Sequence, residues 1–530
     1  MGVVANLVKK NFHRDSVQLL HLSEDAKKLE GVKDAAVVMG TPTNKEILTK
    51  LRLLTDEGKA ATDNDMIIAV TVESPSQIAI SLQNIEKLIL KPSTSKGQRY
   101  YSLDSALQAI PDANLAIVSV PGEYAREIVL NALDRGLNVH LFSDHVPRDD
   151  EVEIKRHAKE RGLLVMGPGA GTALIAGKAI GFANVVKKGR TGIVAAAGTG
   201  LQEVSVLLSE AGIGISSGLG TGGDDVKSTV GGLMMLQAIE ALEHDSVTDT
   251  IVIISKPPDP DVRQRVLEYI ADHTAKRYVT CFLGTESYAL PSRVQGRATA
   301  TKTLHGAFLA ATGPSKGLGL TLDELISVTD QISAGLSETQ RYIRGLYSGG
   351  TLAYETMIIL SRLMGGVYSN APLDSNLKLT NSYKSVKDSI VDLGGEEFTS
   401  GRAHPMIDPT LRQLRLVEEA KDPQVAVIIM DVILGYGSHP DPAGALLGAI
   451  LEAQKIAKAQ NRTLPILAHV CGTEQDPQPL SQQSTKLQNA EVHLFPTNAT
   501  MAFAAALIAR RDEISKTTLV DAWNDLLGPV

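Results

Sequence analysis

Two short stretches of this 530-residue chain share the pattern Gly-Thr-x-x-x-Glu. The first is Gly198-Thr199-Gly200-Leu201-Gln202-Glu203, directly after the apolar run 193–197. The second is Gly350-Thr351-Leu352-Ala353-Tyr354-Glu355, after Tyr347-Ser348-Gly349. Glycine lets a backbone come close to a ligand. The unpaired N–H groups and positive end of the helix that follows favour an anion such as phosphate. The closing carboxylate lies about one turn further on, at ~3.6 residues per turn. Two such loops suit a protein that handles phosphate or acyl-phosphate groups at two related sites. The anion-binding candidates are Gly198, Thr199, Gly200, Gln202, Gly349, Gly350 and Thr351, with Glu203 and Glu355 as candidate catalytic carboxylates. The plainer alternative is a pair of helix-opening turns, each with an early acid that suits the helix dipole.

A second concentration of chemistry is Gly401-Arg402-Ala403-His404-Pro405-Met406-Ile407-Asp408-Pro409. The prolines fix the loop before a helix expected near Thr410. Arg402 can clamp a carboxylate or phosphate through its planar fork. His404 can hold or move a proton near neutral pH. Asp408 can orient either one or cap the helix. Further along, Asp431, His439 and Asp441 accompany the strongest apolar run, 425–434, and Gly472, Thr473 and Glu474 follow the next. Residues at the C-terminal ends of parallel strands border ligand crevices, so these six are expected to line one. One His439–Asp441 pair is too little for a metal site, and no metal is expected. Cys281 and Cys471 read as buried strand-end residues.

These groups need a scaffold, and the chain alternates short apolar runs with helical periodicity. A small N-terminal α/β unit is expected over 1–92, with strands at 17–22, 35–39 and 66–72 and helices around 45–54 and 76–90. Residues 91–97, Lys-Pro-Ser-Thr-Ser-Lys-Gly, read as a linker. A Rossmann-like unit is expected over 100–186, an α/β ligase-type domain over 188–313, a second over 338–512 and a terminal helix over 513–530. The fold class is α/β, with several doubly wound parallel-sheet domains.

Composition narrows the function. A length of 530 residues points to three or four domains. The net charge of −8 with no basic block argues against a nucleic-acid binder. Two cysteines make neither a disulfide framework nor a cysteine-rich zinc site. Lys9, Lys10, His13, Arg14 and Asp15 leave no secretory apolar segment near the start. No apolar run reaches the ~18–20 residues that span a bilayer. The expectation is a cytoplasmic enzyme or enzyme subunit.

Several stretches together resemble the FdrA family. They include Met39-Gly40-Thr41-Pro42-Thr43-Asn44-Lys45, Leu163-Leu164-Val165-Met166-Gly167-Pro168, Gly198–Glu203, Ser255-Lys256-Pro257-Pro258, the region from Gly345 to Glu355, the Gly401–Pro409 loop and Gly472-Thr473-Glu474-Gln475-Asp476-Pro477. That family looks like a fusion of domains related to both subunits of succinyl-CoA synthetase. The resemblance implies a CoA-binding-type domain followed by flavodoxin-like ligase domains. It makes Gly167 and Pro168 crevice residues and offers CoA as a cofactor, although no cofactor is fixed by the residues.

The departures matter equally. Ala197 stands where the synthetases carry a serine hydroxyl, and Gly169 and Ala170 replace a polar pair. The one histidine near the expected phosphohistidine position is His305, read here as an exposed helix residue, so no phosphohistidine is expected. No counterpart of the ATP-grasp domain is found. At least one family member is understood to act in oxamate carbamoyltransferase, which implies carbamoyl phosphate as substrate, partner subunits and a homo-oligomer. The alternatives left open are a CoA-binding relative that lost ligase activity, and an acyl-CoA synthetase subunit completed by another chain.

Overall fold

The computed structural model describes residues 2–90, 98–273, 275–285, 288–294, 296–313, 318–510 and 512–528. The linker expected at 91–97 lies outside them. The chain divides into two compact units: Met1–Arg99 with Leu393–Arg412, and Tyr100–Asp392 with Gln413–Val530.

The first unit holds an antiparallel sheet of β1 (Val3–Lys9), β2 (Val32–Met39) and β3 (Met66–Val72), in the order β1-β3-β2. The central strand β3 is apolar on both faces. Ile68, Val70 and Val72 pack with residues of the helices Ser16–Lys27 and Ile78–Leu90, while Ile67 and Ala69 pack with Leu48, Leu53 and Ala61. Segment 17–22, expected as a strand, is helical instead. The Asp15 side chain accepts from the Val17 and Gln18 N–H groups, and Leu19, Ser23 and Ala26 form a buried stripe at helical spacing. The true first strand, β1, carries a polar Asn6 in its middle, which hid it. Asn6 is buried and satisfied by Leu53 O at 2.8 Å and Thr55 N at 2.8 Å.

The second unit begins with a parallel sheet of β4 (Leu115–Val118), β5 (Asn138–Leu141) and β6 (Val165–Met166). The hairpin of β7 (Thr172–Ile175) and β8 (Lys178–Gly181) lies before residue 186 but joins the next sheet. That sheet adds β9 (Lys188–Ala196), β10 (Ile215–Gly220), β11 (Thr250–Ser255), β12 (Arg277–Phe282) and β13 (Ala298–Thr301), in the order β13-β12-β11-β9-β10-β7-β8. The last sheet, all parallel, contains β14 (Tyr342–Tyr347), β15 (Ser389–Asp392), β16 (Val425–Ile433), β17 (Ile466–Cys471) and β18 (His493–Phe495), in the order β15-β14-β16-β17-β18.

In both large sheets the chain reverses its direction of travel beside the first parallel strand. β9 lies between β10 and β11, and β14 lies between β15 and β16. Ligand crevices of open α/β sheets form at such switch points, beyond the C-terminal strand ends. Each Gly-Thr loop follows one of these two strands.

Candidate functional site

The two Gly-Thr loops meet. Helices Gly198–Glu210 and Gly350–Met364 start at the loop glycines, and the residues before them, Ala197 and Gly349, provide no side-chain cap. Their first N–H groups therefore lack the usual local acceptor. The Thr351 N–H donates to Thr199 Oγ1 at 3.2 Å. A Cβ on Gly200 would lie 2.9 Å from Thr351 Cγ2, and one on Gly349 would lie 3.0 Å from Thr199 Cγ2. Glycine is what lets the loops touch. An anion beside this junction would experience the positive ends of two helices.

Two aspartates shape the second loop. Asp431, fully buried on β16, accepts from Ser348 N at 2.8 Å, Ser348 Oγ at 2.9 Å and Gly349 N at 2.6 Å. It fixes the turn. Asp392, the last residue of β15, lies against the loop opening, where a Cβ on Gly350 would stand 2.4 Å from its carboxylate.

The pattern carboxylates turn inward. Glu203 and Glu355 are each 1% exposed. Glu203 meets His469 Nε2 at 2.8 Å, and His469 Nδ1 lies 3.1 Å from the Phe495 carbonyl. A carbonyl only accepts, so Nδ1 carries a proton. Burial drives Glu203 up, but the His469 charge, hydrogen bonds from His469 and the Cys471 thiol, and the Asn498 N–H hold it below the usual carboxylate range. Burial likewise lowers His469, and Glu203 with the Phe495 carbonyl overcomes this to raise it. The two form a buried ion pair.

Glu355 sits at another helix start. It accepts from Leu304 N at 2.7 Å, His305 N at 3.3 Å and Asn498 Nδ2 at 2.8 Å. Burial, reinforced by the charge of Glu203, pushes it to about 7 against those hydrogen bonds. His305 is not the exposed residue expected from sequence. It is 6% exposed, its Nδ1 lies 3.1 Å from Thr497 Oγ1, and burial pushes it down to about 4. The start of its helix is tied down by Glu355, and that draws the ring inside.

The other predicted site residues are each tied to partners of their own. In the first unit, Arg402 pairs with Asp408 and donates to Asn44 Oδ1 at 3.1 Å. Asn44 in turn donates to Met39 O and Gly401 O at 2.9 and 3.0 Å. Asp408 also receives Thr410 N at 3.0 Å, and His404 Nδ1 accepts from Met406 N at 3.3 Å. This loop is pinned, and its groups serve the fold of the unit. In the second unit Asp431, His439, Asp441, Gly472, Thr473 and Glu474, expected to line one crevice, lie on or beyond β16 and β17, each with its own partners. Besides the Asp431 role above, Asp441 caps helix Pro442–Ala459 and pairs with Lys486, and His439 Nδ1 accepts Asp441 N at 2.9 Å. Thr473 Oγ1 donates to Val185 O at 2.7 Å, Glu474 accepts from Ser481, and Gly472 packs against Leu434. Gln202 Nε2 donates to Asn184 Oδ1 at 3.1 Å, inside the same interior. Gly167 packs on the Leu141 carbonyl, and the Pro168 carbonyl lies against Gly222.

Sequence reasoning missed His469, which sits in a strand with no motif around it. It also assigned no role to Lys256, although Ser255-Lys256-Pro257-Pro258 was conspicuous. Lys256 Nζ lies 5.4 Å from the centre of the Tyr354 ring. Among the described residues no group of three or more His, Cys, Asp or Glu side chains could hold a metal ion, and no helix is long and apolar enough to cross a membrane.

Comparison with known proteins fits this architecture. Residues 346–508 match the CoA-ligase family, and residues 1–103 match a family described as AllF, heavy metal-associated domain. Residues 1–103 contain no cysteine. The chain is 44% identical over 503 residues to the uncharacterized protein YahF of Escherichia coli K12, covering 94% of this chain and 97% of that one. It is 28% identical over 244 residues to the succinate–CoA ligase [ADP-forming] α subunit of Methanothermobacter thermautotrophicus, covering 45% of this chain and 80% of that one. Among solved structures, a dinucleotide-forming acetyl-coenzyme A synthetase 1 of Ca. Korarchaeum cryptofilum aligns over 83% of this chain and 94% of its own at 15% identity and a TM-score of 0.33.

Proposed function

Since the chain belongs to the FdrA-like acyl-CoA synthetase family, we propose that it is the subunit of a carbamoyl-transferring enzyme that binds carbamoyl phosphate where its two Gly-Thr loops meet. The observation that carries this reading is the 3.2 Å contact of Thr351 N with Thr199 Oγ1 between two uncapped helix starts. In the proposed reaction the amide nitrogen of oxamate attacks the carbonyl carbon of carbamoyl phosphate. The C–O bond to the phosphoryl group breaks, phosphate leaves with the electron pair, and the nitrogen gives up one proton. The products are oxalurate and phosphate. Such a transfer needs an anchored phosphate and a held acceptor.

The buried state of the two pattern glutamates supports a positioning role for them. Glu203 is held by His469, and Glu355 by the start of helix Leu304–Thr312. His305 is also buried, which supports a direct transfer over a phosphohistidine relay. Partner subunits and self-association belong to the same reading, as does a cytoplasmic setting.

The second reading is an acid–thiol ligase subunit that binds CoA, favoured by the CoA-ligase match over 346–508. Thermal unfolding of the purified chain with carbamoyl phosphate, acetyl phosphate, CoA and ATP, each alone, separates the two. A ligand at ~100 times its Kd adds ~2.7 kcal/mol. Stabilisation by carbamoyl phosphate without CoA supports the transferase; stabilisation by CoA alone replaces it with the ligase.

A further inference from the structure

Lys256 and Tyr354 lie beside the two loops and have no part in the chemistry above. Lys256 follows β11 directly, on the side of the switch point opposite β10. Strand β11 pairs with β9 in register up to Ser255 beside Ala196, two residues before Gly198. The preceding side chain, Ile254, lies 3.2 Å from where a Cβ on Gly200 would stand. Tyr354 is three residues beyond Thr351 on the second loop's helix, about one turn below the loop junction. The Lys256 ammonium stands 5.4 Å from the Tyr354 ring centre, and Lys256 is half-buried.

The tyrosine ring is held in place. Gly284, just beyond β12, has φ +68°, and a Cβ there would lie 2.9 Å from the ring. The next residue, Thr285, has a buried hydroxyl without a hydrogen-bond partner among the described residues. No carboxylate of the described residues pairs with Lys256. A half-buried ammonium that rests on an aromatic face at a strand end, with no carboxylate partner among the described residues, can pair with an anion that enters. One positive charge suits a monoanion with oxygen acceptors. A phosphate dianion is better matched by the converging helix starts nearby.

We propose that Lys256, braced on Tyr354, is a carboxylate-binding subsite that holds the acceptor substrate by its acid group beside the phosphate loops. The acceptor class is then a small amide or amine that carries a carboxylate. This assignment rests on the loop reading of the site.

Isothermal titration of the full-length chain tests it with three probes: oxamate, its neutral relative oxamide, and inorganic phosphate. Oxamate is expected to bind and oxamide not. K256A and Y354L should weaken oxamate about tenfold or more, K256R should lose less, and phosphate should change less than about twofold. Oxamate binding that K256A leaves intact overturns the subsite, as does no oxamate binding to the wild-type chain. Equal losses for oxamate and phosphate in K256A also overturn it, because Lys256 would then serve one common anion site. If oxamate binds and responds to K256A while phosphate does not bind at all, the subsite stands and the loop reading falls.

Discussion

His469 and Glu203 meet at 2.8 Å from positions 266 residues apart, and the pair ties the helix of the first Gly-Thr loop to β17 of the last sheet. Both groups are buried. Removal of one partner strands the other charge in the interior, and such losses typically reach about 3–5 kcal/mol. His469→Ala should therefore lower stability in urea unfolding by roughly that amount. An effect under about 1 kcal/mol would show that the pair is not ionised.

The pair has a defined pH window. Glu203 is held below its ordinary 4.5, so its contribution is present above 4.5 and is lost as pH falls through the depressed value. His469 is raised above 6.5, so its contribution is complete below 6.5 and is lost as pH rises through the raised value. The wild type should gain most over His469→Gln between 4.5 and 6.5. A stability difference that is flat from pH 4 to 9 would count against the linkage.

Glu355 works in the opposite sense to Glu203. Its folded pKa is raised from 4.5 to about 7. The folded chain keeps that proton longer than the unfolded one, so this contribution is full below 4.5 and lost as pH rises through about 7. Across that window the loss is on the order of 3 kcal/mol. Glu355→Gln cannot titrate, so its urea midpoint should rise relative to wild type between pH 5 and 8. Parallel curves would refute a titrating Glu355.

Gly200→Ala tests the loop junction. Gly200 is the third residue of its helix, and an alanine Cβ there would press on Thr351 Cγ2 at 2.9 Å and Ile254 Cγ2 at 3.2 Å. The expected result is a folded chain whose affinity for inorganic phosphate falls about tenfold as the helix starts part. Unchanged phosphate affinity, read by titration calorimetry, would separate the anion site from the junction.

Asn44→Ala should act on the first unit alone. Asn44 is fully buried, donates to Met39 O and Gly401 O, and accepts from Arg402. Its loss leaves buried polar groups unmatched, at about 1–3 kcal/mol each. Protease susceptibility near 393–412 should rise while phosphate affinity holds. A drop in phosphate affinity instead would bring the Arg402 loop back among the binding groups.

The sequence was most informative where local pattern and tertiary role coincide. Long apolar runs such as 425–434 became buried parallel strands, because a strand covered on both faces needs little else. The Gly-Thr repeat marked two helix starts, since glycine there has a backbone reason that survives in any context. Segment 17–22 misled because an apolar run of that length suits either period, and the Asp15 cap decided it. His305 and His469 were illegible for another reason. Their burial depends on Glu355, Thr497, Glu203 and Phe495, which lie tens to hundreds of residues away. The hairpin β7–β8 was hidden in the same manner, since its pairing partner β10 comes some forty residues later.

The first unit is assembled from two pieces of chain, Met1–Arg99 and Leu393–Arg412, separated by about 300 residues. A ribosome adds roughly 5–20 residues each second, so the start of the chain waits on the order of 15–60 s for its missing piece. Through that interval the seven-stranded sheet is synthesised in full and the last sheet gains only β14 and β15, while the first unit has all three strands of its sheet but not its second piece. The unit that is begun first is thus completed after the seven-stranded sheet. A shortened chain that ends before residue 412 would deprive its own beginning of the segment that finishes it.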